Sequence, residues 1–152
     1  MSHDIVLWIH VATGCLAWIV GTAALWTNLP GRRSHGALAA FHWSVLAMAA
    51  SASVLVAFAP AQFWWLWLLA IFSYGLALLG YLAPRDRSLA WLRLGIHGQG
   101  GACIAVVTAT FVVSVHGLAA IAAWTLPTLI GVPLLELWYR RATTHAPVGS
   151  RA

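Results

Sequence analysis

Five apolar segments alternate with short polar links along the chain. They cover residues 4–26, 37–59, 62–83, 95–115 and 118–139. Each is close to the ~20 residues that an α-helix needs to cross a hydrocarbon layer of ~30 Å. Helix-breaking residues stand in the first three links, namely Pro30 with Gly31, then Pro60, then Pro84, and the fourth link is only about 116–117. The pattern predicts an all-α bundle of five transmembrane helices.

The composition agrees with a membrane environment. Of the 152 residues, 62% are hydrophobic and only 7% are charged, so the chain cannot cover itself with a polar surface in water. Little length remains beyond the five segments. We therefore expect a single transmembrane domain over residues 1–141 and a short, disordered tail over 142–152.

The basic residues predict the orientation of the bundle. All eight are arginines, and they occur in links one and three and at the carboxyl end: Arg32, Arg33, Arg85, Arg87, Arg93, Arg140, Arg141 and Arg151. Links two and four contain none. By the positive-inside rule the amino terminus lies outside and the carboxyl terminus in the cytoplasm. We expect a multi-pass membrane protein whose arginine-rich face contacts anionic headgroups, not nucleic acid.

Several chemistries lack the residues that they need. The chain has no lysine, which excludes a retinal or pyridoxal Schiff base. Its only acids, Asp4, Asp86 and Glu136, fall near the predicted helix ends, which disfavours an ion-coupled transporter. Glu136 precedes Arg140 by four residues, the spacing of a helical ion pair. No motif of hydrolytic, thiol-redox or nucleotide chemistry is present, so no catalytic residue is assigned and enzymatic activity stays open.

The histidines are the candidate site residues. In the predicted topology His97, His35 and His42 lie near the cytoplasmic face, where Arg93, Arg32 and Arg33 would meet haem propionates. The glycines around His97 leave room for a flat macrocycle, and Gln99 is a nearby donor. This arrangement predicts haem b or a metal near that face, with electron transfer to quinone or a membrane redox partner. In the outer leaflet His10 and His116 form a weaker metal candidate, because their depths differ.

Two other interpretations remain open. Histidines at helix ends can be interfacial residues, and a neutral imidazole inside a bundle can simply hydrogen-bond a neighbouring helix. The chain would then be a non-catalytic structural or assembly subunit, or a homo-oligomer. A small-molecule channel or carrier is the second alternative, with the fifth helix kinked at Pro127 and Pro133.

The segments "LWIHVATGCLAWIVGTAAL" and "GRRSHGALAAFHWSVLAMAASA" resemble the opening of an uncharacterised family of small bacterial multi-span membrane proteins. The later segments "IHGQGGACIAVVTATFVV" and "WTLPTLIGVPLLELWYRR" resemble its fourth and fifth helices. His10, His35 and His97 occupy positions at which that family carries histidines on its first, second and fourth helices, whereas His42 and His116 do not. The resemblance implies the fold, the topology and a location in the bacterial inner membrane, and no activity.

Overall fold

Each apolar segment forms one α-helix in the structure, a computed structural model that describes residues 3–27, 35–83, 89–114 and 119–144. The helices are α1 (His3–Thr27), α2 (His35–Phe58), α3 (Pro60–Leu82), α4 (Leu89–Ser114) and α5 (Ala119–Thr144). All five are long and apolar enough to cross a membrane. The prediction of an all-α chain with five such helices is confirmed.

The helix ends differ from the predicted spans mainly in the second half of the chain. α4 begins at Leu89, six residues before position 95, and α5 continues to Thr144, past the predicted end of the fifth span at 139 and into the range 142–152 predicted as the tail. Pro60 is the first residue of α3, a position where a proline loses no helical hydrogen bond. The predicted short link at 116–117 and the tail from 145 onward lie outside the described residues.

Helices α1 to α4 form a ring around one core. Each packs on the next, and α4 closes the ring against α1. The core contains side chains from all four helices: Ala17, Phe41, Val45, Met48, Ala77, Ala102, Cys103 and Val106. Because most of these are small, the helix axes can approach closely. None of the described side chains of α5 belongs to this cluster, and α5 packs on the outside of α4.

Successive helices run antiparallel, as the side-chain contacts near their ends show. The rings of His3 and Phe58 pair at one end of α1 and α2, and the rings of His42 and Tyr81 stack at the opposite end of α2. One end of the bundle therefore holds the carboxyl ends of α1, α3 and α5 with the amino ends of α2 and α4. We call it the arginine end, because the described arginines Arg93, Arg140 and Arg141 lie there.

The tightest helix contact joins α3 and α4 through glycines. A Cβ atom on Gly98 would lie 2.6 Å from the backbone nitrogen of Gly80 and 2.9 Å from the carbonyl oxygen of Leu76. No side chain fits there without moving a backbone, so glycine at position 98 is required by the packing. The adjacent Gln99 is buried and donates a hydrogen bond from Nε2 to the carbonyl of Gly21, 3.3 Å away in α1.

Most hydroxyl groups in the helices are satisfied within their own helix. Serine and threonine side chains donate to the carbonyl four residues earlier at Thr13, Thr22, Ser44, Ser53, Ser73, Thr108, Thr110 and Thr125. Such a bond satisfies the hydroxyl group within its own helix, so no contact with another helix is needed. Polar composition inside the spans therefore does not by itself mark a site.

Candidate functional site

His10 connects α1 to α2 by hydrogen bonds. Its Nδ1 lies 3.1 Å from the carbonyl oxygen of Met48 and 3.1 Å from Oγ of Ser51. The Ser51 hydroxyl itself donates to the Met48 carbonyl at 2.9 Å, so its oxygen is left to accept from His10. Nδ1 of His10 therefore carries the proton, and the ring nitrogen Nε2 keeps its lone pair.

His42 connects α2 to α3 by ring contacts. The imidazole is buried and stacks on Tyr81, with ring centroids 4.6 Å apart and planes 16° apart. Tyr74, two turns earlier on the same face of α3, lies 5.5 Å away. The Nδ1 atom of His42 is buried and has no hydrogen-bond partner among the described residues. An unpaired buried nitrogen of this kind is costly, so it marks a position that could accept a ligand atom or a water.

His97 connects α4 to α5. Its Nδ1 donates to the carbonyl oxygen of Arg93 at 2.8 Å, and its Nε2 lies 3.6 Å from Oε2 of Glu136. The ring also meets the edge of Tyr139, 5.3 Å between centroids. The guanidinium of Arg93 lies over the same tyrosine ring, 5.9 Å from its centroid. Both ring nitrogens of His97 are thus directed at oxygen atoms of the protein.

Glu136 is the site residue that the sequence analysis overlooked. Its Oε1 accepts from Nε of Arg140 at 3.0 Å, the helical ion pair that the spacing predicted, but its Oε2 faces His97. The topology carried part of the signal. His97 near the amino end of α4 and Glu136 near the carboxyl end of α5 lie at the same depth in an antiparallel pair, but equal depth does not show which faces of the two helices meet.

The predicted haem residues are distributed over different helix interfaces. The described contacts of His97 are with α4 and α5, whereas those of His42 are with its neighbour Trp43 and with α3. His35 is the first residue of α2 and is exposed. Among the part of the chain that the structure describes, no group of three or more metal-binding side chains is present. Arg32, Arg33 and His116 lie outside the described residues.

The glycines beside His97 lie at close contacts between helices. Gly98 contacts the backbone of α3, and a Cβ on Gly100 would overlap the side chain of Leu135 in α5. Gln99 is engaged with α1. The space around these residues is therefore occupied by neighbouring helices, and the glycines act here as close-packing positions.

We compared the chain with known proteins. No protein-family model, no curated protein and no solved structure matches it. The resemblance to an uncharacterised family of small multi-span membrane proteins stays an expectation.

Proposed function

We propose that the chain is a five-span protein of the bacterial inner membrane, with its amino terminus outside and its arginine end in the cytoplasm. Support comes from the length and hydropathy of all five helices and from the hydroxyl groups that bond within their own helices, as required in hydrocarbon. The alternation of arginine between links supports the orientation. In this setting the exposed apolar side chains of α1 and α5 face lipid.

The proposed orientation has a direct test. Ser2→Cys and Ala152→Cys, each in a Cys15→Ser background in which the buried Cys103 is the remaining native thiol, should differ in reaction with an impermeant maleimide applied to spheroplasts. We expect rapid labelling at position 2 and labelling at position 152 only after lysis. Equal labelling of the two positions in intact spheroplasts would contradict the odd number of crossings.

We further propose that the protein is a non-catalytic membrane component, a structural or assembly subunit or a homo-oligomer, whose histidines join its helices. The observation that carries this proposal is the pairwise placement of the imidazoles: His10 between α1 and α2, His42 between α2 and α3, and His97 between α4 and α5. In lipid there is no hydrophobic driving force between helices. Polar side chains that bridge two helices therefore stabilise their association and fix their relative positions.

Replacement of these histidines tests the structural proposal. His10→Gln and His97→Gln should each lower the free energy of unfolding in mixed detergent micelles by about 0.5–1.5 kcal/mol, the net value of one hydrogen bond. His3→Gln is the matched control, because the described polar contact of His3 is with the neighbouring Asp4 of its own helix, so the substitution removes a ring contact with Phe58 and no described hydrogen bond between helices. Protein purified from haem-supplied cells should contain neither haem nor a stoichiometric metal.

The second candidate function is ligation of haem b or a metal near the cytoplasmic face, with electron transfer to quinone or a redox partner. The support for this candidate is His42, whose buried Nδ1 lacks a hydrogen-bond partner among the described residues. His97 and His35 would be the other candidate imidazole ligands, and the nearby arginines would pair with the haem propionates. For His97 to bind iron through Nε2, the carboxylate of Glu136 must first move away.

One spectrum separates the two candidates. A Soret band with a sharp alpha band on reduction, lost in His42→Gln or His97→Gln variants that still fold, would establish haem ligation and overturn the structural proposal. A featureless visible spectrum together with normal folding of the histidine variants would remove the haem candidate.

A further inference from the structure

Helix α5 crosses α4 obliquely. Near the amino end of α5, Trp124 contacts Trp65 of α3, with ring centroids 5.5 Å apart. Near its carboxyl end, Trp138 instead contacts Trp26 of α1, with ring centroids 5.1 Å apart. Along its length α5 packs on α4, and the two ring pairs show which flanking helix it approaches at each end. It meets α1 at the arginine end and α3 at the opposite end.

The oblique crossing leaves a cleft between α3 and α5 at the arginine end. Phe72 and Leu79 follow Trp65 at intervals of seven residues, close to two helical turns, so the three side chains lie on one face of α3. Phe72 is 60% exposed and Leu79 is 46% exposed, so this face is covered by α5 at Trp65 and open farther along. We call the opening between Phe72 and Leu79 of α3 and Val132 and Glu136 of α5 the α3–α5 cleft.

A second cleft lies on the other side of α5, at the opposite end of the bundle. Ile19 precedes Trp26 by seven residues on α1 and is 61% exposed, so this face of α1 is covered by α5 at Trp26 and open at Ile19. We call this opening, beside Ile19, the α1–α5 cleft. The charged side chain of α1 near that end of the bundle is the acidic Asp4. The two clefts therefore have similar apolar walls and different charges.

The α4 side of the α3–α5 cleft carries polar groups. Gly100 of α4 meets Leu135 of α5, and Gly101 meets Leu76 of α3. His97 lies one turn before both glycines, so its direction falls between those two neighbouring helices. Its side chain is only half-buried. The described residues of α4 that face the cleft are thus accessible from the membrane.

The α5 side of the cleft carries the carboxylate. Glu136 and Trp138 lie on opposite sides of Leu135 around the axis of α5. Because Trp138 contacts α1, Glu136 lies on the side toward α3. The Glu136 side chain is also only half-buried. Polar groups of both helices therefore meet at the arginine end of the same cleft.

Two arginines stand at the mouth of the α3–α5 cleft. Arg93 lies one turn before His97 on α4, and its guanidinium lies 5.9 Å from the ring centroid of Tyr139. No acidic partner of Arg93 is found among the described residues. Arg140 donates from Nε to Glu136 at 3.0 Å, which leaves its terminal nitrogens available for a second acceptor. Two guanidiniums against one carboxylate leave one positive charge in excess.

We propose that the α3–α5 cleft binds one anionic phospholipid, with an acyl chain against Phe72 and Leu79 and the phosphate between Arg93 and Arg140. Guanidinium groups hold phosphate through paired N–H bonds, and basic pockets between transmembrane helices are suited to anionic headgroups. The excess positive charge matches the single negative charge of a headgroup such as phosphatidylglycerol. This inference rests on the membrane location proposed above and adds a ligand class and a site.

Native mass spectrometry of the full chain in detergent micelles tests the site. The probes are phosphatidylglycerol and, as the zwitterionic reference, phosphatidylcholine with the same acyl chains. The unmodified protein should retain one phosphatidylglycerol and bind it about fivefold or more tightly than phosphatidylcholine, since each arginine near an anionic headgroup contributes about that factor.

Substitution of single arginines tests the position of the headgroup. Arg93→Gln should weaken the binding of phosphatidylglycerol about fivefold and leave that of phosphatidylcholine unchanged. Arg141→Gln is the matched control. Arg141 lies at the same end of the bundle, but it follows Trp138 by three residues and so lies on the side of α5 toward α1. Its loss should leave the binding of phosphatidylglycerol unchanged.

Filling each cleft in turn tests the position of the acyl chain. Leu79→Trp places a ring in the α3–α5 cleft and should reduce the retention of both lipids. Ile19→Trp places the same ring in the α1–α5 cleft and should not. Because both positions are exposed, we expect both variants to fold, which circular dichroism checks.

Three outcomes would overturn the proposal. They are equal retention of the two lipids by the unmodified protein, equal losses in Arg93→Gln and Arg141→Gln, and a dimer in place of the lipid-bound monomer that is lost in Leu79→Trp. The dimer would show that a second copy of the chain fills the cleft. Each outcome can occur while the maleimide labelling supports the proposed topology, so failure of the lipid site is distinguishable from failure of the membrane proposal.

Discussion

Helices α4 and α5 have the same length, 26 residues each, and both are apolar enough to span a membrane, yet they occupy opposite positions in the bundle. In an apolar 18-residue stretch of α4, 56% of the residues are buried, against 6% in the corresponding stretch of α5. Their residue sizes differ. α4 carries glycine and alanine where it meets α1, α3 and α5, whereas α5 carries exposed large side chains such as Leu129, Ile130 and Leu134. Hydropathy predicts both helices equally well, and side-chain size separates the central helix from the peripheral one.

The largest expected difference between the two helices comes from the same substitution made in each. Val106 of α4 is 2% exposed and belongs to the core, whereas Val132 of α5 is 52% exposed. Val106→Phe should lower the free energy of unfolding by about 3 kcal/mol, because a well-packed core cannot accept the ring. Val132→Phe should change it by less than about 0.5 kcal/mol. Denaturation in mixed micelles, followed by circular dichroism, measures the free energy of unfolding of both variants. Equal losses would contradict the central position of α4 and the peripheral position of α5.

The next effect concerns the glycine contact between α3 and α4. Gly98→Ala should cost about 2 kcal/mol, because the new Cβ meets backbone atoms that cannot rotate away. Gly75→Ala is the matched control, since nothing lies within 4 Å of its added Cβ. That variant should be neutral or stabilising by up to about 1 kcal/mol from helix propensity. The same unfolding assay applies, and a tolerated Gly98→Ala would place α4 farther from α3 than the structure does.

A smaller effect is expected from the buried amide that joins α4 to α1. Gln99→Leu removes the donor to the Gly21 carbonyl and should cost about 1 kcal/mol, near the net value of one hydrogen bond. Thr125→Val in α5 is the control, because the hydroxyl of Thr125 bonds only within its own exposed helix turn. We expect it to change stability by less than about 0.5 kcal/mol. Comparable losses in the two variants would argue that α4 has no special position.

The smallest effect should appear where α4 meets α5. A Cβ at Gly100 would overlap the end of the Leu135 side chain, which is flexible and lies on the peripheral helix. Gly100→Ala should therefore cost only about 1 kcal/mol or less. The double variant Gly100→Ala, Leu135→Val should recover most of that loss, as measured by a double-mutant cycle. A loss as large as that of Gly98→Ala would mean that α5 is held as firmly as α3.

The number and type of the helices could be predicted from the chain, whereas their exact ends could not. Five apolar runs with prolines between them are an unambiguous pattern, and each became one helix. The apolar pattern predicts the start of the fourth helix at residue 95, because Arg93 interrupts the apolar run, whereas α4 begins at Leu89. The long side chain of an arginine at a helix end can reach the membrane surface, so Arg93 does not end the helix. His97 consequently lies two turns inside α4, and not at its start.

The candidate site was predictable only in part. The predicted topology places His97 and Arg93 in one polar region, and in the structure both contact Tyr139. The partner of His97 did not follow, because Glu136 already had a satisfactory partner four residues away. The contacts of His42 with the tyrosines of α3 could not be predicted from the sequence either. A helix with apolar residues on every face gives no indication of which side meets which neighbour.

Hydrophobic runs, proline positions and the placement of arginine were sufficient to determine five helices of membrane-spanning length and to predict their orientation. They are properties of local chain chemistry, and each can be read without knowing any contact. The order of packing was decided by tertiary structure alone: the ring of α1 to α4, the external place of α5, and the carboxylate that faces His97. The physical reason is that nearly uniform hydrophobicity removes the inside–outside signal. Side-chain shape and a few polar contacts between residues distant in sequence then choose the neighbours.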